Sequence, residues 1–200
     1  MSANMIAGPP RHALRCAIAV ALGFIHAFSP AVAEAQDMDV PVQIQVALFL
    51  KVLTFDRNLA GSPASEILVG VVFQSGYRSS VNAKNIAMTA LQDTRNKRKI
   101  RAIAIDLDRE TLTTALPRHR PSVLYVAPLR AIEIGDLATA ARNANVTTLT
   151  GVPQYVALGL AISVRLQGEK PKLVINPEAA RAEGADFSAE LLKLAQIWPE

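Results

Sequence analysis

The chain has 200 residues, half of them hydrophobic and 19% charged, with a formal net charge of +4. That balance excludes a disordered or collagen-like polymer, and the length suits one domain with its own core. The single cysteine excludes a disulfide framework or a thiolate zinc site, and an aromatic share of 5% is too small for a nucleic-acid stacking platform.

The N-terminus reads as an export signal. Arg11, His12 and Arg15 precede an apolar run from Cys16 to Ile25. As a helix at ~1.5 Å per residue the run would span roughly 15 Å, about half a bilayer core. Ser29 and Pro30 break it, and Ala31-Val32-Ala33 then presents the small residues that signal peptidase reads. Ala33-Glu34-Ala35 is a second cleavage site, and an uncleaved anchor is the alternative. We therefore expect residues 1–35 to be a cleaved secretory signal and residues 36–200 the mature domain. Cleavage removes Cys16, His12 and His26, leaving His119 as the sole histidine and a chain held together by packing alone. A soluble periplasmic product, with no integral membrane segment, is the expectation.

From Val42 the apolar residues Val46, Phe49, Leu50 and Leu53 recur at helical spacing, and Gly61-Ser62-Pro63 marks a loop. Ile67 to Phe73 is a continuous apolar run, the pattern of a strand covered on both faces. Ser79 or Ser80 is the expected cap of a helix from Val81 to Gln92. Strands are predicted at Ile100–Leu107, Val123–Ala127 and Val146–Leu149. Helices are predicted at Arg109–Leu116, closed by Pro117, and at Ala131–Asn143. This alternation predicts an α/β fold with a mostly parallel open sheet and helices on both faces. Leu158–Leu166 and Lys172–Ile175 then read as a C-terminal antiparallel hairpin joined through Gln167–Pro171. Two helices follow. Asn176 caps the first, Pro177 fits its first position and Gly184 its end. The second should run from Ser188 to Trp198, with Leu191, Leu194, Ala195 and Trp198 on one face.

Catalytic chemistry finds little to work with. A hydrolytic triad needs a histidine base, and His119 lies in a loop between Pro117-Arg118 and Arg120-Pro121. Asp106, Asp108 and Glu110 lack the glycine turn and closing glutamate of a calcium loop. No catalytic residue, metal ligand or cofactor is nominated, and the chain reads as a non-enzyme. The loop Gln74-Ser75-Gly76-Tyr77-Arg78 is more informative. It joins a strand to a helix, where open α/β sheets take ligands and helix amides hold anions. With Thr150 and Gln154 from a later strand end, Gln74, Ser75 and Arg78 are the candidate ligand-binding residues. Arg95, Lys97, Arg98, Lys99 and Arg101 place five cations in seven residues. In an exported chain this reads as a solvated helix-to-strand connection, with an acidic partner or an anionic membrane surface, rather than nucleic acid, as the alternative.

The C-terminal half carries a more specific pattern: Leu173-Val174-Ile175-Asn176-Pro177-Glu178-Ala179-Ala180-Arg181, then Gly184, Ser188 and Leu191-Leu192-Lys193-Leu194-Ala195. This ending resembles the YfiR family of small exported bacterial proteins, with Asn176, Ala180, Arg181, Gly184, Leu191 and Leu192 as its mainly structural positions. Phe55-Asp56 stands where the family commonly has Trp-Pro, and the cysteines of some members are absent. The resemblance implies a periplasmic regulator that binds the periplasmic part of an inner-membrane signalling protein, such as a diguanylate cyclase, and represses cyclic-di-GMP synthesis. A homodimer is left open beside that partner. The alternative is a small-ligand sensor module resembling one lobe of a solute-binding protein.

Overall fold

The computed structural model describes residues 38–61, 66–92 and 99–199. The expected leader, the loop at Ser62-Pro63 and the cations Arg95, Lys97 and Arg98 lie outside them. In chain order the elements are α1 (Val42–Val52), a 3-10 turn (Leu53–Phe55), α2 (Arg57–Gly61), β1 (Glu66–Phe73), α3 (Arg78–Gln92), β2 (Lys99–Asp106), α4 (Leu112–His119), β3 (Val123–Val126), α5 (Ile134–Ala144), β4 (Thr147–Thr150), α6 (Gln154–Ala157), β5 (Ile162–Gln167), β6 (Lys170–Ile175), α7 (Pro177–Ala182), α8 (Ala189–Leu194) and β7 (Gln196–Ile197). One sheet holds the seven strands in the order β2-β1-β3-β4-β5-β6-β7. The first five in that order run parallel, β6 is antiparallel to β5, and β7 is parallel to β6.

Both faces of the sheet are covered. Val69 and Val71 of β1 join α1, α3, α7 and α8 in one apolar cluster, whereas Val72 joins α4, α5 and Tyr155 of α6 in the other. This two-sided burial is why β1 reads as an unbroken apolar run. Each fully buried valine contributes about 1.5–3 kcal/mol relative to exposure. Gly70 sits where a Cβ would come within 2.8 Å of the Leu124 side chain, so glycine permits the close approach of β1 and β3.

Several boundaries differ from the sequence reading. Ser79 and Ser80 lie inside α3, and the buried Ser80 hydroxyl accepts the Gln74 amide at 3.0 Å instead of capping the helix. Pro117 does not close α4. It lies within a helix that starts later, at Leu112, because Asp106–Glu110 form a turn and Thr111 supplies the cap. Helix α5 starts three residues beyond Ala131, whose φ of +53° cannot continue a helix. Strand β5 begins at Ile162, since Gln154–Ala157 form a helical turn ended by Leu158 and by Gly159 at φ +107°. The hairpin turns on two residues, Gly168-Glu169, so Gln167, Lys170 and Pro171 belong to strands.

The largest correction is at the C-terminus. The last helix ends at Leu194, because Ala195 turns extended and Gln196-Ile197 pair with Val174-Ile175. Trp198 donates its amide to the Ile175 carbonyl at 2.8 Å. Leu191 alone of the expected apolar face is buried, while Leu194 is 66% and Trp198 37% exposed.

Candidate functional site

The register aligns Val72, Val126 and Thr150, so β1, β3 and β4 end along one edge of the sheet. Gln74, Ser75, Arg78, Thr150 and Gln154 all belong to this carboxyl edge. Strand order reverses between β1 and β3, the crevice where open α/β folds bind ligands. In this chain Gln74 spans that crevice. Its Oε1 accepts the Arg130 amide at 2.6 Å and its Nε2 donates to Asp108 Oδ1 at 3.2 Å, with the residue 8% exposed.

The amides before α3 are also engaged. Gly76 N donates to Asp108 Oδ2 at 2.6 Å, Ser75 Oγ reaches the same oxygen at 3.3 Å, and Ser75 N donates to Asp106 Oδ1 at 3.0 Å. Gly76's amide, aided by Gln74 and Ser75, holds the Asp108 carboxyl below the usual carboxylate range. An added Cβ on Gly76 would lie 3.2 Å from Asp108 Oδ2, which fits glycine at this turn. The loop that the sequence suggests for an external anion therefore holds an internal one, supplied by the turn after β2.

The remaining candidates stitch the edge together. Thr150 is fully buried, donates to the Val126 carbonyl at 2.9 Å and accepts from Val152 N at 3.1 Å. Ser163 Oγ donates to the Thr150 carbonyl at 3.0 Å. The buried Tyr155 hydroxyl accepts Leu129 N at 2.8 Å and donates to Leu129 O at 3.3 Å, which fixes the loop after β3. Arg78 and Gln154 are exposed at the rim.

The other singled-out residues have local partners. His119 Nε2 accepts from Arg118 Nε at 3.1 Å, and Arg118 also pairs with Glu110. Lys99 and Arg101 both pair with Glu66. Among the described residues, no three His, Cys, Asp or Glu side chains gather where they could hold a metal ion. Within the C-terminal motif, Asn176 caps α7 by accepting Ala179 N at 3.0 Å, Gly184 takes φ +86°, and Ala180 and Leu191 are buried. Leu192 is half-buried and Arg181 is exposed.

The buried polar groups Gln45 and Glu183 escaped the sequence reading. Gln45 of α1 is fully buried, donates to Val40 O at 2.6 Å and accepts the Tyr125 hydroxyl at 2.8 Å. Its place inside an otherwise apolar helical stripe was the signal available. Glu183 follows α7 and is 1% exposed, its carboxylate oxygens 2.7 Å from Thr148 N and 2.8 Å from Thr148 Oγ1. Burial pushes its pKa up to about 8, against the opposing pull of the Thr148 bonds and the Arg142 charge. A glutamate just before a helix-ending glycine looks like surface in the sequence.

The YfiR/HmsC-like family model matches residues 43–196, from α1 to β7. The sequence matches none of the curated proteins. Among solved structures, a conserved domain protein from Vibrio cholerae O1 biovar El Tor is similar at a TM-score of 0.55 and 16% identity, covering 78% of this chain and 60% of that one. The ABC domain in complex with L-Trp from Streptococcus pneumonia gives 0.58 and 15%, over 78% and 62%. The ligand-free, open substrate-binding protein CD0873 from Clostridium difficile gives 0.51 and 14%, over 79% and 59%. The chain thus spans about three-fifths of these structures, and the likeness is one of fold.

Proposed function

The chain belongs to the YfiR/HmsC-like family, a periplasmic, regulatory and non-catalytic family, and from that membership we propose that it regulates a membrane signalling protein by direct contact. The partner is the periplasmic part of an inner-membrane protein such as a diguanylate cyclase, and binding holds cyclic-di-GMP synthesis down. Residues 1–35 direct export and are removed, and the chain itself makes and breaks no bonds. The observation that carries this reading is the family match across the whole sheet. The carboxyl edge supports it, since Asp108 and Gln74 engage the groups that an external ligand would need. Regulation requires the chain to bind one state of its partner more tightly, at about tenfold preference per 1.4 kcal/mol. Among the described residues no helix is long and apolar enough to cross a membrane. Periplasmic cross-linking followed by mass spectrometry tests the reading: recovery of a membrane signalling protein supports it, and recovery of the chain alone counts against it.

A second reading is favoured by the exposed Arg78 and Gln154 at the rim of the carboxyl edge and by the likeness to the fold of a substrate-binding protein. There the chain is a sensor module for a small anion or metabolite. Thermal-shift measurement with inorganic anions and amino acids, tryptophan included, separates the two readings, since a ligand that binds the folded state raises its melting temperature.

A further inference from the structure

The β5–β6 hairpin runs past the sheet on both sides. Strand β4 pairs only with Ile162 and Ser163, and β7 only with Val174 and Ile175. Residues 165–171 are all exposed. The register sets Arg165 opposite Lys172 and Gln167 opposite Lys170, so these four share one face, while Leu166 and Pro171 share the other. Like charges directly opposed in a strand pair destabilise it. At the far edge of the sheet, Lys99 and Arg101 are both paired with Glu66. Among the described residues no ion pair includes Arg165, Lys170 or Lys172. The hairpin thus carries an uncompensated basic face and a small apolar one on opposite sides.

Its two edges are not equivalent. Pro171 has no amide hydrogen, so it forms no hydrogen-bonded pair with the opposing Leu166. Pro171 therefore removes one donor from the outer edge of β6 near the turn. By the same alternation, the Leu166 N–H and C=O point away from β6, on the edge of β5 beyond the end of β4. A segment added to that edge would place successive side chains on the basic and the apolar face in turn. A flat anionic membrane meets only one face at a time.

We infer that the free edge of β5 around Arg165–Gln167 docks an extended partner segment of alternating acidic and apolar residues. The inference rests on the regulatory reading, whose contact face it names. Because β5 runs parallel to β4, the docked segment continues the sheet at its carboxyl edge.

The test uses residues 36–200 with three probes: a capped peptide of alternating glutamate and valine, its lysine–valine counterpart, and phosphatidylglycerol vesicles. Fluorescence anisotropy should show salt-sensitive binding of the acidic peptide alone. Two variants follow. Exchanging both cations, Arg165→Glu with Lys172→Glu, should weaken the acidic peptide at least about tenfold and create binding of the basic one. Leu166→Pro removes an edge donor without a hairpin hydrogen bond and should abolish peptide binding at an unchanged melting temperature. Absence of peptide binding, or peptide binding indifferent to Leu166→Pro, overturns the inference. Vesicle binding lost on charge exchange but retained in Leu166→Pro also overturns it, assigning the hairpin to lipid. Cyclic-di-GMP measured in cells carrying each variant separates the two levels. Normal repression by both variants discards the edge and leaves the regulatory reading standing, whereas an absent effect of the parent chain discards that reading.

Discussion

The Glu183 carboxyl, just beyond α7, is buried against Thr148 in the middle of β4 and accepts that residue's amide hydrogen at 2.7 Å. The Thr148 hydroxyl, 2.8 Å from Glu183 Oε1, also accepts the Ala161 amide at 2.8 Å. One side chain thus ties α7, β4 and the approach to β5 together. Beyond it, Asn58 Nδ2 donates to the Gly184 carbonyl at 2.8 Å and Arg57 pairs with Asp186 at 3.2 Å, joining the C-terminal helices to α2.

Stability should fall as pH rises from about 4.5 to about 8. In that window the folded chain keeps a proton on Glu183 that the unfolded chain has released, so each rise in pH favours unfolding. Glu183→Gln keeps the bonding pattern without the charge and should flatten the dependence. Urea unfolding midpoints across this range check it; a flat wild-type profile would contradict the assignment.

The engaged amides before α3 make a second prediction. Asp108→Ala removes the carboxylate that Gly76 N and Ser75 Oγ bind and leaves Asp106 on Ser75 N. The variant should then gain thermal stabilisation from sulfate or phosphate that the parent chain lacks. Equal stabilisation of both would show that Asp108 does not occupy an anion position.

Gly151 is held to glycine by Gln45. A Cβ there would lie 2.2 Å from Gln45 Oε1, the acceptor of the Tyr125 hydroxyl. Gly151→Ala should therefore cost about 1–3 kcal/mol through overpacking. Gly135 in α5 has nothing within 4 Å of its Cβ position, so Gly135→Ala should stabilise by about 0.5–1 kcal/mol. Denaturant midpoints of the pair test whether the difference lies in local space.

Tyr155→Phe removes the hydroxyl that binds both Leu129 N and Leu129 O. Leaving that amide unpaired in a buried loop should cost about 1–3 kcal/mol. Hydrogen exchange should quicken at Leu129 first; unchanged protection there would contradict the role.

The fold was legible where local chemistry agrees with burial. The apolar run at β1, the helical spacing of α1, and the Asn176-Pro177 start of α7 all report their surroundings directly. Boundaries failed where a distant group decides the backbone. Helix α5 starts late because Ala131 turns left-handed, in the loop whose Arg130 amide is held by Gln74, 56 residues earlier. Likewise, the last helix is cut short because β6 offers an edge to Gln196 and Ile197. At the candidate site, the sequence located the loop but not its occupant, since Asp108 reaches it from 32 residues away. Glu183 stayed invisible because nothing local marks a buried carboxyl.

Cyclic-di-GMP in a strain lacking this chain is the most direct measurement of the regulatory account. The account requires the level to rise on deletion and to return to its starting value when an exported copy is restored, but not when the same domain is confined to the cytosol. An unchanged level on deletion, or rescue by the cytosolic copy, would contradict it.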